Sequence, residues 1–185
     1  MFIDSIVYGI IISLILGGSF QGLLAISLKQ PLLIVLSFFI QFGSIFIFPN
    51  YLLTAVIISN FGLLFFCFVN VKVTGFKYML IGLFLNLIVM ILNRGRMPVD
   101  VEAAKIMSPK DVPALLAGKY GKHIALSDHT HLNFLGDIFF LRYPYPRPII
   151  ISLGDIVLSI GVILFLYSVM VKGKKKSKEV VGYGA

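Results

Sequence analysis

Four apolar segments, residues 31–48, 51–70, 76–92 and 149–171, constrain this chain more than any other feature. Each is close to the ~20 residues that an α-helix needs to cross ~30 Å of hydrocarbon. The remainder of the chain does not dilute them. Of 185 residues, 58% are hydrophobic and only 13% are charged, too few to clothe a soluble domain of this size. A shorter apolar segment, 5–17, comes before "GGSFQGLLAISLKQ". Its Gly17-Gly18 pair predicts a break, then an interfacial stretch up to Lys29. The segment lacks a basic start, carries Asp4 and has no small-x-small cleavage site, so it is expected to stay in the mature protein. The predicted fold is an all-α integral membrane protein of about five transmembrane helices, with a small extracytoplasmic α/β cap between the last two. Residues 1–92 hold helices one to four, 93–148 the extracytoplasmic connection, 149–171 the last transmembrane helix and 172–185 a basic cytoplasmic tail.

Charge sets the expected orientation. The net charge is +8, and five of the sixteen basic residues lie between Lys172 and Lys178, directly after the last apolar run. That placement predicts a cytoplasmic anchor facing anionic membrane lipids and argues against a nucleic-acid partner. With the C-terminus inside, Lys29, Lys72 and Lys77 fall in cytoplasmic connections, and Asp4 falls outside. The single cysteine, Cys67, excludes an intramolecular disulfide framework and a Cys-rich zinc site. No phosphate loop or dinucleotide fingerprint is present, and no cofactor is expected.

The 56-residue connection from 93 to 148 carries eight basic and five acidic residues. A connection this long usually has a task. "PVDVEAAKIM" and "PKDVPALLAGKYG" predict two short helices, each opened by proline and acidic residues. "KHIALSDHTHLNFLGDIFFL" alternates and turns, which predicts short extended segments. On an extended segment His129 and His131 point the same way, with His123 nearby; solvated loop histidines are preferred to a zinc site, and no metal is assigned. Arg94 and Arg96 sit where the fourth span leaves the membrane. They either snorkel to lipid phosphates or hold the anionic head group of a lipidated substrate. Gln41 and Asn60, inside spans, suit interhelical hydrogen bonds.

The phrase "LGDI" occurs twice, at 135–138 and at 153–156, placing Asp137 and Asp155 in apolar surroundings. On one straight helix the two carboxylates would stand about 27 Å apart. "RYPYPRP" rules that helix out: Pro144, Pro146 and Pro148 force an extended or turning path, so the two aspartates are free to converge. Two readings of Asp155 stand. If the last helix begins near Ile150, the carboxylate lies about one turn inside the span, at a cost of ~2.5–3.5 kcal/mol that calls for pairing, a solvated cavity or a function. Alternatively Ser152, Gly154 and Asp155 open the helix as a cap, with 149–151 still extended. Two neighbouring carboxyls in a low-dielectric pocket split their pKa values, so that one holds a proton while the other acts as base.

"RPIIISLGDIVLSIGVILFLY" resembles the last helix of lipoprotein signal peptidases (signal peptidase II), whose motif there is Phe-Asn-x-Ala-Asp-Ser-x-Ile-x-x-Gly. Ser152 takes the Asn position and Asp155 the Asp position. "FLGDIFF" is similar to that family's Val-Val-Asp-Phe motif, and Asn86 in "FLNLIVMILNRG" matches the Asn of Gly-Asn-x-x-Asp-Arg. In that register the motif's Asp and Arg positions hold Val89 and Met90. The resemblance covers the C-terminal third. It implies a membrane-embedded aspartic hydrolase of the bacterial inner membrane, with Asp137 and Asp155 as the catalytic pair. Asn86, Arg94, Arg96 and Ser152 would bind substrate, a lipidated or membrane-inserted peptide. "NRGRMPVD" together with the two "LGDI" phrases is also similar to a family of uncharacterised bacterial membrane proteins, which covers most of the chain and implies no activity. The alternative function is a non-enzymatic scaffold or partner subunit, in which the aspartates cap or brace the loop through Arg94, Arg96, Arg142 or Arg147.

Overall fold

The computed structural model describes residues 1–47, 49–143 and 145–172. Pro144 and the basic run beyond 172, both used in the sequence reading, lie outside the described residues. Five apolar helices dominate: α1 (Phe2–Ile15), α3 (Leu32–Phe46), α4 (Leu52–Val69), α5 (Phe76–Leu92) and α8 (Leu153–Tyr167). A five-residue helix, α2 (Gln21–Ala25), follows the break at Gly17-Gly18. Two of the helices are long and apolar enough to cross a membrane, α4 over Leu52–Val69 and α8 with its continuation over Leu153–Val171; α1, α3 and α5 are shorter apolar helices.

The helices form an arc in which α1 packs on α8, α8 on α5, α5 on α4 and α4 on α3. Contact between α8 and α5 depends on missing side chains. Gly75 and Gly82 face Gly161 and Gly154, the members of each pair standing seven positions apart along their helix, so the two antiparallel helices meet backbone to backbone. A Cβ on Gly161 would stand 2.7 Å from the Gly75 carbonyl oxygen, closer than packed atoms approach. Beside this seam Phe76 makes edge-on contacts with Phe66 and Phe165, at centroid distances of 5.5 and 5.4 Å. Polarity runs inside out. Ser13, Ser37, Ser59, Asn60 and Ser159 are buried, while Phe39, Phe42, Phe61, Phe65 and Phe68 are exposed.

One end of the arc is tied by Asn70, whose side chain accepts from the Lys29 N–H and donates to the Lys29 carbonyl, both at 2.9 Å. At the other end Arg147 donates to Asp4 at 3.1 Å, and the N-terminal amine lies 2.9 Å from the same carboxylate. Lys29 therefore stands at one end, and Asp4 and the cap stand at the other.

The cap is built on β1 (Met97–Val99), which pairs in parallel with β2 (His123–Ala125), Met97 opposite His123. The other edge of β1 receives Asp137, whose N–H donates to the Pro98 carbonyl at 2.8 Å. In return the Asp100 N–H donates to the Asp137 carbonyl at 3.0 Å. β3 (Phe139–Leu141) and β4 (Ile149–Ile151) form an antiparallel pair, Phe139 opposite Ile151. Helices α6 (Val101–Met107) and α7 (Val112–Leu116) cover the strands, burying Val99, Ala103, Ala104, Val112, Leu115 and Ile150 together.

Three local details bear on the sequence reading. Of the two readings of Asp155 the cap is the one found: the last helix starts at Leu153, not within 149–151, because Ser152 caps it and 149–151 are held extended by β3. Pro98 lies within β1, so α6 is opened without proline, by Asp100, whose Oδ1 accepts from the Ala103 N–H at 2.9 Å, with Glu102 in the first turn. His129 lies in a turn, as the preferred loop reading has it, since Thr130 folds back onto the Ser127 carbonyl through both its N–H (3.1 Å) and its hydroxyl (2.7 Å).

Candidate active site at the cap end of the helix arc

The β3–β4 pairing brings the two "LGDI" phrases to one place, since Asp137 precedes β3 by two residues and Asp155 follows β4 by four. At the start of α8 the Ser152 side chain accepts the Asp155 N–H at 3.0 Å, an ordinary N-cap. The same hydroxyl donates to Asn86 Oδ1 at 2.8 Å, and Asn86 Nδ2 donates to Asp155 Oδ1 at 2.9 Å. These three bonds close a ring that fixes the direction of the Asp155 carboxylate. Gly154 makes the ring possible: any Cβ there would collide with the Asn86 side-chain amide.

Asp137 approaches from the cap. Its backbone is held by Pro98 of β1 and by Asp100 at the start of α6, and its side chain is 11% exposed. Its Oδ2 stands 3.6 Å from His123 Nε2. Lys122, next to His123, extends toward the helices and donates from Nζ to Gln41 Oε1 on α3 at 3.0 Å. Asp137, Asp155, Asn86, Lys122, His123 and Gln41 all line a single cavity of about 310 Å³. Its deeper wall is apolar, with Ile34, Phe38, Leu63, Met79, Leu83 and Leu158.

The electrostatics divide these groups. Burial pushes the Asp137 carboxyl up to about 8, and the nearby Asp155 charge adds to the rise while Lys122 opposes it. Asp137 is therefore a neutral acid at pH 7. Burial, reinforced by Lys122, holds His123 down at about 4, so the ring is neutral there and its contact with Asp137 is no ion pair. The His123 side chain is still 39% exposed, so solvent screens its charge more than that of Asp137. Burial also lowers Lys122, against the pull of Asp155 and Asp137. A carboxyl raised by burial, a hydrogen-bonded aspartate and a lysine thus share one chamber, a set able to move protons at a polar bond presented from the apolar side.

Asn86, Ser152 and Asp155 are hydrogen-bonded together, and Asp137, whose meeting with Asp155 the sequence permitted but left open, lines the same cavity as Asn86 and Asp155. Arg94 and Arg96 do not line this cavity. Arg94 is exposed in a left-handed turn (φ 56°) after α5, and the buried Arg96 Nε has no hydrogen-bond partner among the described residues. Arg147 is engaged by Asp4, and Arg142 lies over the Phe140 ring at 4.9 Å. Among the described residues, none of these four arginines forms an ion pair with Asp137 or Asp155, contrary to the bracing arrangement of the scaffold reading. His129 and His131 are exposed, away from His123, and no metal-ligand cluster of three or more occurs among the described residues. Sequence reasoning missed Lys122 and the role of His123 beside Asp137. The available signal was the "MPV" and "HIA" pair, but pairing of strands 26 residues apart leaves no local mark.

Comparison with known proteins places the chain without assigning an activity. A protein of Thermotoga maritima, described as uncharacterized, is 35% identical over 107 residues, covering 57% of this chain and 59% of the relative. The chain thus spans under two thirds of that relative's length. No solved structure matches. A family of unknown function (DUF5317) is matched over residues 25–167, most of the chain and all of the cavity's carboxylates. The chain belongs to that family.

Proposed function

We propose that this protein is a membrane-embedded aspartic hydrolase, similar in chemistry to lipoprotein signal peptidase, acting on a membrane-inserted or lipidated peptide. The observation that carries the reading is the joint lining of one cavity by Asp137 and Asp155, where burial pushes the Asp137 carboxyl up to about 8. In the proposed reaction Asp155, aimed by Asn86 and Ser152, takes a proton from water as its oxygen bonds to the scissile carbonyl carbon. Asp137 then gives its proton to the leaving amine as the C–N bond breaks. The products are a carboxylic acid and an amine, and the proton on Asp155 returns to Asp137 through solvent.

The membrane part of the proposal is five spans in the bacterial plasma membrane, with the cap outside and the C-terminus in the cytoplasm. It is supported by the apolar outward faces of α3 and α4, by the buried hydroxyls and amides, and by the grouping of Lys29 opposite Asp4. Helices α1 and α3 end the arc, approaching through the Phe2 and Phe38 rings at 6.4 Å, and both rings line the cavity. A substrate chain dissolved in lipid would enter between them.

A non-enzymatic role keeps one specific observation in its favour: the Asn86–Ser152–Asp155 ring also joins α5 to α8 as a brace. Complementation separates the two. In a bacterium depleted of lipoprotein signal peptidase, the wild-type chain is expected to restore pro-lipoprotein cleavage, and Asp137→Asn and Asp155→Asn are not. Failure of a membrane-inserted wild type to cleave overturns that specific activity.

A further inference from the structure

A second cavity, of about 190 Å³, lies inside the cap. It is lined by Ala104, Met107, Val112 and Leu115 from α6 and α7, by Ile149 and Ile150 of β4, and by His123 and Asp137. Those last two residues also line the helix-side cavity. His123 and Asp137 are therefore a partition, with one apolar chamber among the helices and another in the cap. The reactive carboxyl of the proposed hydrolase stands in the wall between them.

We infer that the site takes a two-part ligand whose lipid-soluble chain fills the helix-side chamber and whose next residue places an apolar side chain in the cap chamber, the linking amide lying at the Asp137–His123 partition. This rests on the hydrolase reading and narrows its substrate class. Any bond brought to Asp137 has a chamber on either side, and both chambers are mainly apolar, so the flanking groups on both sides are selected for burial. Charge refines the selection. Asp111 lines the cap chamber and accepts from the Ser108 hydroxyl at 2.6 Å and the Tyr120 hydroxyl at 3.4 Å. Both donors are neutral, and no cation pairs with Asp111 among the described residues. An acidic residue entering the chamber would meet an uncompensated carboxylate, so the residue accepted is apolar and not acidic.

The chain contains no tryptophan, which provides a clean reporter. Met107 borders the chamber and is 37% exposed, so Met107→Trp introduces a single indole at its rim. In detergent or nanodiscs the reporter is titrated with N-myristoylglycyl-leucinamide, with the glutamate analogue, and with myristoylglycinamide, which lacks the second residue. The leucine probe is expected to shift the indole emission to the blue and to bind roughly tenfold or more tightly than the glutamate probe, the range that one well-fitted apolar group supplies. The truncated probe is expected to bind without moving the emission. Ala104→Phe, which fills the chamber, and the milder Ala104→Val are expected to weaken only the leucine probe, with binding of the truncated probe showing that each variant is folded. Equal affinity for the leucine and glutamate probes, or equal loss of the leucine and truncated probes in both variants, overturns the two-chamber site. Mass spectrometry of the same samples reports cleavage independently. Selective binding without cleavage sustains the two-chamber site and counts against the hydrolase.

Discussion

Asn86 and Asp155 are joined across the α5–α8 seam by a 2.9 Å hydrogen bond between side chains 69 positions apart in sequence. This bond and the two through Ser152 make the first turn of α8 both a helix start and the mounting of a carboxylate. Replacing Asn86 by Leu leaves the Ser152 hydroxyl without its acceptor and Asp155 without its donor. The expected loss is about 1–3 kcal/mol of stability, and any activity falls further, because the carboxylate is no longer aimed. Denaturant unfolding in micelles checks the first effect. Asn86→Asp, nearly isosteric, is expected to be no better than Leu, because it sets a second carboxylate against Asp155.

Gly154→Ala drives a methyl group into the Asn86 amide and is expected to destabilise the fold by about 1–3 kcal/mol. Gly43→Ala, on α3, meets nothing within 4 Å and is expected to be neutral or to stabilise by up to about 1 kcal/mol. Thermal unfolding of the two variants side by side measures the contrast. Equal effects would mean that α5 and α8 are not in backbone contact.

Two titrations act on stability with opposite signs. His123 is lowered to about 4, so between 4 and 6.5 the unfolded chain binds the extra proton and stability rises with pH. Asp137 is raised to about 8, so from 3.8 to 8 the folded chain holds the extra proton and stability falls with pH. The two slopes offset each other below 6.5, where the partly exposed His123 is the weaker term. Between 6.5 and 8 Asp137 acts alone, and stability is expected to fall by up to about 1.4 kcal/mol per pH unit. Asp137→Asn removes that fall. A wild-type curve that is flat or rising from 6.5 to 8 would contradict a buried, protonated Asp137.

The Asp4–Arg147 pair ties α1 to the cap, but Arg147 is 61% exposed. Arg147→Ala is expected to cost no more than about 1 kcal/mol, and less at high salt. Unfolding measured at two ionic strengths tests this against the much larger effect expected at Asn86.

What the sequence discloses depends on how local the cause is. Phe76–Leu92 is delimited by its own residues, Gly75 before it and Asn93 after it, and the apolar run and the helix coincide. "IIISLG" reads equally well as the opening of a span. Only its pairing with 139–141 makes it a strand, so the start of α8 moves three residues past Ile150 to Leu153. Asp137 and Asp155 stand out because a carboxylate is conspicuous in an apolar run, and the prolines of "RYPYPRP" made their convergence permissible. Lys122 could not be singled out in this way. It is an ordinary loop lysine in sequence, and reaches Gln41 only because parallel pairing with β1 carries residue 122 over the mouth of the arc.

The most direct measurement is cleavage of a lipidated pro-lipoprotein by purified protein in liposomes, with the new amino terminus identified by mass spectrometry. The wild type is expected to generate it, and Asp137→Asn and Asp155→Asn to lower the rate at least about a hundredfold, the minimum share of a general acid or base. No cleavage by folded wild type, or undiminished cleavage by either variant, would contradict the paired-aspartate mechanism.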